Sequence, residues 1–275
     1  MGTGSRVIVD FHSHTNASDG TLTPDELVAA MRERNVGIFS ITDHDTLDAY
    51  TTLRGKKIDA TVIPGVEINC SLRGGEVHVL GYKLPLEESN LSRILREHRS
   101  SRFERAKQMV SQLNAAGIPL TFEQVQAEAV GSLALGRPHV GKALVRHRHV
   151  KDIQAVFRDW LVTGKPGYVP QDYILPYRAV ELIKDAGGVA VLAHPGRLKD
   201  EAVIEDLAKF GLDGLEVFYP THSPQQIAFY RSQAKEHKLV MTAGSDFHDI
   251  RWHARGVGME VEKDDIQPFL DLILN

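Results

Sequence analysis

Short, almost wholly apolar runs alternate with segments of helical period along most of the chain. Runs that are polar on neither face are typical of strands buried on both sides of a sheet. We expect seven such strands, at 7–11, 36–42, 61–70 (interrupted at Pro64-Gly65), 77–82, 189–193, 215–219 and 239–243. Strands that alternate with helices indicate parallel βα units, and this pattern predicts a barrel that is closed or nearly closed.

The clearest helix start lies at residues 23–26, which read Thr-Pro-Asp-Glu. Thr23 can cap the helix, Pro24 suits its first position, and Glu26 completes a capping box. An apolar stripe at helical spacing follows. Later helices are predicted at 224–237 and 264–274.

The alternation stops between about residues 88 and 165. That stretch has a helical pattern throughout, at 91–116, 122–129, 138–147 and 153–162, and it lies between Pro85 and a Gly-Lys-Pro-Gly loop at 164–167. We therefore predict an α/β barrel in two parts, 6–90 and 169–275, with a small helical insert domain at 91–168 between them.

Composition narrows the class of protein. A hydrophobic content of 42%, a charged content of 25% and a net charge of −4 are globular values. They argue against a surface that coats extended duplex nucleic acid, but they leave room for a small basic pocket. No apolar run suits a membrane span or a signal peptide, and the first five residues read as a leader outside the fold. The single cysteine, Cys70, excludes an internal disulfide and a cysteine-based zinc site, and it favours a cytoplasmic location.

Histidine is abundant, with 13 residues, and many lie with acidic residues where a predicted strand ends. The candidates are His12, His14, Asp19, His44, Glu67, His78, His194, Asp246 and His248. Strand ends share one face of a parallel barrel, so these side chains should converge. Imidazole and carboxylate without thiolate suit manganese, iron or zinc, and nine ligands suit two or three ions. The alternative for any one histidine is a hydrogen-bonded loop residue, and Asp43 and Asp45 could be turn residues that cap a helix.

Five segments resemble the PHP (polymerase and histidinol phosphatase) phosphoesterases. They are Asp10-Phe11-His12-Ser13-His14, Thr42-Asp43-His44-Asp45, Gly65-Val66-Glu67, Ala193-His194-Pro195 and Gly244-Ser245-Asp246-Phe247-His248. The resemblance runs from about Arg6 to the end and implies a distorted (β/α)7 barrel with a trinuclear metal site. It implies one ion on His12, His14, Glu67 and Asp246, a second on Glu67, His78 and His194, and a third on Asp19, His44 and His248. We assign the catalytic roles to Asp19, His44, Glu67, His194, Asp246 and His248.

Motifs in the insert resemble the group that contains nucleoside 3′,5′-bisphosphate phosphatases and RNase AM-type 5′→3′ exonucleases. The motifs are Arg137-Pro138-His139, Arg102-Phe103-Glu104-Arg105-Ala106 and Gly164-Lys165-Pro166-Gly167-Tyr168. The resemblance implies that the insert overhangs the barrel mouth and supplies cations to the substrate. The candidates for substrate contacts are Arg99, Arg102, Arg105, Arg137, Lys165 and His222. Arg99, Arg102 and Arg105 share one helix face by their spacing, and a solvated helix surface is the alternative for them.

These observations predict a metal-dependent phosphatase. We expect it to hydrolyse a phosphate monoester of a small nucleotide with two phosphates, by in-line attack of a metal-bound hydroxide without a phospho-enzyme. The alternatives are a 5′→3′ exonuclease on short RNA ends, a non-catalytic metal-binding module, a histidinol-phosphate phosphatase and an amidohydrolase, which would want a bridging lysine.

Cys70 reads as a core residue, Asp10 as a strand-end hydrogen-bond acceptor, and Asp43 as a partner of a ligand imidazole or a helix cap. The other histidines, His98, His147, His149, His237 and His253, read as ordinary surface or helix residues.

Overall fold

The computed structural model describes residues 5–129, 135–170, 174–251 and 255–275, so the first four of the five leader residues and His253 lie outside the described residues. The strands are β1 (Arg6–Asp10), β2 (Ile38–Ile41), β3 (Thr61–Leu72), β4 (Gly75–Tyr82), β5 (Val189–Leu192), β6 (Gly214–Phe218), β7 (Val240–Ala243) and β8 (Met259–Glu262). The helices are α1 (Pro24–Glu33), α2 (Asp48–Leu53), α3 (Asn90–Ala115), α4 (Phe122–Gln126), α5 (Arg137–Arg146), α6 (Ile153–Asp159), α7 (Pro176–Asp185), α8 (Ala202–Phe210), α9 (Pro224–Glu236) and α10 (Lys263–Leu274).

The strands form one nearly closed barrel with helices around it, which confirms the predicted fold class. Their order in the sheet is β7-β6-β5-β4-β3-β2-β1-β8. The ends of β1 and β7 approach each other, where the Phe11 N–H donates to the Ala243 carbonyl at 2.9 Å. One bridge further along pairs Ser13 with Phe247 in parallel. The segments that follow these two strands therefore lie side by side.

Two strands differ from the expected parallel pattern. β4 runs antiparallel to both β3 and β5. It forms a hairpin with β3 through Arg73 and Gly74, whose φ angles of 51° and 74° suit the two-residue turns that match strand twist. β8 was not predicted, because it is a short edge strand with two glutamates, and it pairs antiparallel with β1.

The predicted interruption of the third strand at Pro64-Gly65 is wrong. β3 continues through both residues as a strand of 12 residues. Pro64 lies at the last position that pairs with β2, and Gly65 lies at the first position that pairs with β4. The strand therefore changes partners at this point without ending, and Glu67 follows two residues later.

The hydrophobic residues of the insert helices pack on one another. Met109 and Leu113 of α3, Val140 and Leu144 of α5 and Val156 of α6 belong to one buried cluster, and the barrel residues form other clusters. The helix predicted at 122–129 ends at Gln126, and the one predicted at 153–162 ends at Asp159. None of the helices in the described parts of the chain is long and apolar enough to cross a membrane.

The start of α1 confirms its predicted capping box. The side chain of Thr23 accepts from the Glu26 N–H at 3.3 Å, and the Thr23 N–H donates to the Glu26 carboxylate at 2.8 Å. Because α1 begins immediately after the loop that carries Asp19, this local signal also determines where that loop ends.

Candidate metal centre

The nine side chains singled out from the sequence converge at one end of the barrel. They form three groups whose potential ligand atoms lie within 4.8 Å of one another. The groups are His12, His14, Glu67 and Asp246; Glu67, His78 and His194; and His14, Asp19, His44 and His248. These groups match the three predicted sets, and His14 additionally joins the third.

The first group has the spacing of a tetrahedral metal site. The His12 Nε2 and His14 Nε2 atoms lie 3.2 Å apart, and each lies 3.2–3.3 Å from Glu67 Oε2. Each also lies 3.3 Å from Asp246 Oδ1. A regular tetrahedron with edges of this length has its centre about 2.0 Å from each corner, which is the usual distance from zinc to nitrogen or oxygen. Five of the six distances among the four atoms therefore suit a small divalent cation.

Glu67 links the three groups. Its Oε1 atom lies 2.8 Å from His78 Nδ1 and 3.2 Å from His194 Nε2. Its Oε2 atom faces the first group and also lies 3.1 Å from His44 Nδ1. The two oxygens of one carboxylate therefore serve different groups, which is the arrangement of a carboxylate that bridges two cations.

The third group is wider than the first. The Asp19 carboxylate lies 3.4 Å from His248 Nε2 and 3.8 Å from both His44 Nε2 and His14 Nδ1. Asp19 and His44 lie on loops that follow β1 and β2, whereas His12 and His14 extend directly from a strand. The wider spacing in the third group therefore involves Asp19 and His44, the two ligands that lie on these loops.

Unsatisfied polar atoms indicate that a cation fits here. Among the described residues, the buried atoms His14 Nδ1, His44 Nδ1 and Glu67 Oε2 have no partner in hydrogen-bond geometry, although His44 Nδ1 and Glu67 Oε2 lie only 3.1 Å apart. Buried polar groups without a partner are rare and cost about 1–3 kcal/mol each. Divalent metal ions would coordinate such atoms, and the nitrogen and oxygen donors suit manganese, iron or zinc.

The electrostatics of the cluster favour added positive charge. Burial opposes protonation of His12, but the carboxylates of Glu216, Glu67 and Asp246 raise its pKa well above the usual value. Burial likewise opposes protonation of His14, yet the nearby carboxylates of Asp246 and Glu67 raise its pKa to about 10. In the absence of metal, protons therefore partly neutralise the buried carboxylates, and metal binding would displace them.

Glu216 is a fully buried residue of the site that the sequence analysis missed. Its Oε1 atom lies 3.0 Å from His12 Nδ1, and its Oε2 atom accepts from the His194 N–H at 2.7 Å. A carboxylate on Nδ1 leaves Nε2 of the same ring free to bind a metal, and it fixes the tautomer. The available signal was a glutamate in the middle of the otherwise apolar strand β6.

Two further residues act on Asp246. The Tyr219 hydroxyl donates to Asp246 Oδ2 at 2.7 Å, and Arg197 Nη1 lies 3.1 Å from the same oxygen. The Arg197 guanidinium also stacks 5.1 Å from the centre of the Tyr219 ring. Asp246 Oδ1 is left facing the first group, so these contacts orient the carboxylate.

Asp10 and Asp43 hold the loops around the site. Asp10 accepts hydrogen bonds from Ser245 and Gly258, which confirms its role as a strand-end acceptor. The Asp43 carboxylate accepts from the Thr15 N–H, the Thr15 hydroxyl and the Ser18 hydroxyl at 2.6–2.7 Å. Of the two alternatives given for Asp43, the helix cap is wrong, because α2 begins after Leu47 and has no side-chain cap.

The cations predicted to contact the substrate are distributed unevenly. Arg102, Arg105 and Arg137 line a cavity of about 160 Å³ that also contains Asp19, His44 and His78. Arg99 instead binds Thr46 and Asp48, the latter at 2.7 Å. Of the three arginines predicted on one face of α3, Arg102 and Arg105 therefore line this cavity beside the metal centre, and Arg99 is not among its lining residues.

Two other substrate candidates lie away from the ligand cluster. The His222 ring accepts from the Gly196 N–H at 3.3 Å and has its Nδ1 atom 2.9 Å from the Val217 carbonyl, so both nitrogens face the backbone. Lys165 is exposed in a turn of the insert. The described structure thus does not place either residue among the ligands.

His98 was expected to be an ordinary surface or helix residue, and the structure shows a helix residue that is not on the surface. It lies in α3 but is only 6% exposed. Its Nδ1 atom lies 3.3 Å from Asp45 Oδ2, which Arg102 also contacts. This arrangement depends on the docking of α3 against the loop after β2, which the helical pattern does not reveal.

Comparison with known proteins identifies the family. A family model described as the PHP domain matches residues 10–161. The chain belongs to the PHP family. It is similar to the 5′-3′ exoribonuclease Rnm of Escherichia coli, with 35% identity over 90% of this chain and 87% of the relative. It is equally similar to a 3′,5′-nucleoside bisphosphate phosphatase of Chromobacterium violaceum, with 35% identity over 91% of this chain and 90% of the relative.

A solved structure supports the same assignment. A protein from Bifidobacterium adolescentis, assigned as a metal-dependent phosphoesterase, superposes with a TM-score of 0.83 at 29% identity, and the match covers 97% of this chain and 96% of that one. Together with the ligand cluster, these relatives show that the PHP chain described here is a phosphoesterase, a hydrolase that acts on phosphoric ester bonds.

Proposed function

We propose that this PHP phosphoesterase binds three divalent ions in its three ligand groups and hydrolyses a phosphate monoester of a nucleoside 3′,5′-bisphosphate. The observation that carries the proposal is a groove with cations beside the metal centre. The groove has a volume of about 560 Å³, and Arg137, Arg197 and Lys199 are among its lining residues. A substrate with two phosphates could place one at the ligand cluster and the other among these cations.

Arg137 connects the two spaces. It lines both the cavity above the ligands and the groove. Its guanidinium pairs with Glu76 and lies 5.4 Å from the centre of the Phe157 ring, so the planar cation is held in place from two sides. A held guanidinium binds phosphate oxygens with less loss of side-chain freedom than a mobile one. We assign to Arg137 the role of binding the phosphate that is not hydrolysed.

Aromatic side chains line the same groove. Phe157 and Tyr168 of the insert face it together with the β3–β4 turn at Gly74 and Gly75. Bases and sugars stack on such rings without strict sequence preference. The groove thus offers an aromatic stacking surface next to positive charge, and these two features match the base and the phosphate of a nucleotide.

The chemistry at the cluster needs no nucleophilic side chain. Bound divalent ions would offset the charge of the phosphate and lower the pKa of a coordinated water. The nine residues of the three ligand groups would hold the ions, while Glu216 and Tyr219 keep ligand side chains oriented. Cys70 is fully buried, and burial raises the pKa of its thiol well above the usual value, so it serves the core.

A 5′→3′ exonuclease is the second candidate function. It is supported by the similarity to the Escherichia coli exoribonuclease. The same groove could then accept the nucleotide that follows a 5′ end. An amidohydrolase, which would want a bridging lysine, finds less support, since the two oxygens of Glu67 occupy the bridging position between the ligand groups.

A substrate panel separates the candidates. Adenosine 3′,5′-bisphosphate, adenosine 5′-monophosphate and a 5′-phosphorylated trinucleotide are compared by phosphate release and by chromatography of the nucleotide products. We expect kcat/KM for the bisphosphate to exceed that for the monophosphate by roughly 10–100-fold, since a hydrogen bond to a charged group contributes about 1.5–3 kcal/mol. Preferred release of mononucleotides from the trinucleotide would instead support the exonuclease.

The same reaction in ¹⁸O-labelled water tests the mechanism. One labelled oxygen per released phosphate in a single turnover is expected, because water attacks phosphorus directly. A phosphorylated side chain trapped by rapid acid quenching would rule out direct attack.

A further inference from the structure

Two of the four residues of the third group, Asp19 and His44, lie on loops that the helical insert contacts. Asp19 lies on the loop after β1, and His44 lies on the loop after β2. The remaining ligands of the other two groups are on or next to strands of the barrel, and Glu216 orients two of them. The third group therefore differs from the other two groups because the insert helices contact the loops that carry two of its ligands.

Helix α3 of the insert holds the loop of His44 through Asp45. Asp45 is fully buried, and its φ of 55° is a left-handed conformation that a non-glycine residue rarely adopts. Arg102 Nη1 donates to Asp45 Oδ2 at 2.6 Å, and the Asn69 N–H and side-chain amide donate to the same carboxylate at 3.0–3.1 Å. Arg102 of the insert, together with Asn69 of β3, thus holds the residue directly after His44 in an otherwise unfavourable backbone conformation.

Helix α5 holds the loop of Asp19 through two side chains. His139 is 1% exposed, its Nδ1 atom accepts from the Gly136 N–H at 3.2 Å, and the buried ring lies near the backbone of Ser18. Lys142, three residues later and hence on the same helix face, donates to the Asp19 carbonyl at 3.1 Å. Helix α5 is therefore bonded to the Asp19 carbonyl through Lys142, and its buried His139 ring lies beside the preceding residue, Ser18.

We infer that Asp45 and His139 are positioning residues through which the insert sets the third metal position. The inference rests on the proposed binding of three ions. The insert then has a role beyond contact with the substrate: its docking on the barrel brings the Asp19 and His44 loops to the distance that a cation requires. Loss of either attachment removes the third ion and leaves the other two.

The test is a metal count on the full chain. Wild type, Asp45→Asn and His139→Ala are stripped, reloaded with Mn²⁺, desalted and analysed for manganese per chain. We expect three equivalents in wild type and two in each variant, with a roughly 10–100-fold weaker third site in Mn²⁺ titration, as for other residues that orient ligands. His147→Ala at the end of α5 and Asp25→Asn in α1 are matched controls that should keep three.

Two outcomes would overturn the inference. Variants that keep all three equivalents show that the attachments do not set the third site, and variants that lose every ion show that the insert holds the whole centre. Circular dichroism melting of the stripped proteins checks that each variant folds, and Lys142→Met is a milder change that should weaken only the third site. Phosphate release by the same wild-type preparation decides the proposed substrate separately, since metal is counted without substrate.

Discussion

Glu216→Gln tests how strongly the buried carboxylate controls the metal centre. The glutamate accepts from the His12 ring on Oε1 and from the His194 N–H on Oε2. Glutamine has the same shape but offers one oxygen and one NH₂ group. Whichever way the amide turns, one of the two donors loses its acceptor and faces another donor instead.

The structure allows the size of this effect to be worked out. A buried donor without a partner costs about 1–3 kcal/mol, which lowers the melting temperature of a protein of this size by roughly 2–10 °C. Loss of the charged partner of a ligand imidazole weakens metal binding by roughly 10–100-fold, or about 1.4–2.7 kcal/mol. The metal-free stability and the metal affinity should therefore both fall.

Calorimetric Mn²⁺ titration and thermal melting of the stripped protein measure the two quantities. Glu205→Gln is the matched control, because that glutamate forms an exposed pair with Lys209, and such pairs contribute little. If Glu216→Gln bound Mn²⁺ with wild-type affinity and melted at the wild-type temperature, the assigned role of Glu216 in orienting His12 would be refuted.

Three further predictions address the groove, the packing and the pH dependence. Arg137→Ala should raise KM for the bisphosphate by roughly 10–100-fold with less effect on kcat. Arg146→Ala on the same helix should leave both constants unchanged. Steady-state kinetics in which the two substitutions changed KM equally would contradict this prediction. Gly244→Ala should reduce metal content and stability, because an added Cβ would lie 2.2 Å from the Cβ of His12; a fully loaded, equally stable variant would show that the backbone can shift. Since the pKa values of His12 and His14 are raised on folding, to about 10 for His14, their contribution to stability is complete below about pH 6.5 and is lost as the pH rises toward 10. The metal-free protein should therefore melt at progressively lower temperature over that range, and saturating Mn²⁺ should flatten the curve; a melting temperature that rises with pH in the metal-free protein would contradict the assignment.

The order of most strands and helices was predictable because it depends on local patterns. Buried strands are short and apolar, and the helix start at Thr23 carries its own cap. Errors occurred where a local signal was ambiguous. Pro64 looked like a break although it marks a change of partner strand, and β8 is too short and too charged to stand out.

The candidate site was predictable to the extent that each ligand follows a strand. His12 and His14 share one side of an extended segment, and Asp246 and His248 repeat that spacing. The role of Glu216 was not recognised, because a single glutamate in an apolar strand has no partner in its own neighbourhood. The position of His98 was likewise hidden, since its contact with Asp45 joins residues 53 positions apart, as counted along the chain.

The sequence alone therefore determined the barrel class, the helical character of the insert and the set of side chains that converge, because strand and helix periods and strand-end positions are local properties. The tertiary structure decided the direction of β4, the partners of the insert arginines and the residues that orient the ligands. Those features depend on which distant segments pack together, and a buried charge finds its partner only when the chain has folded around it.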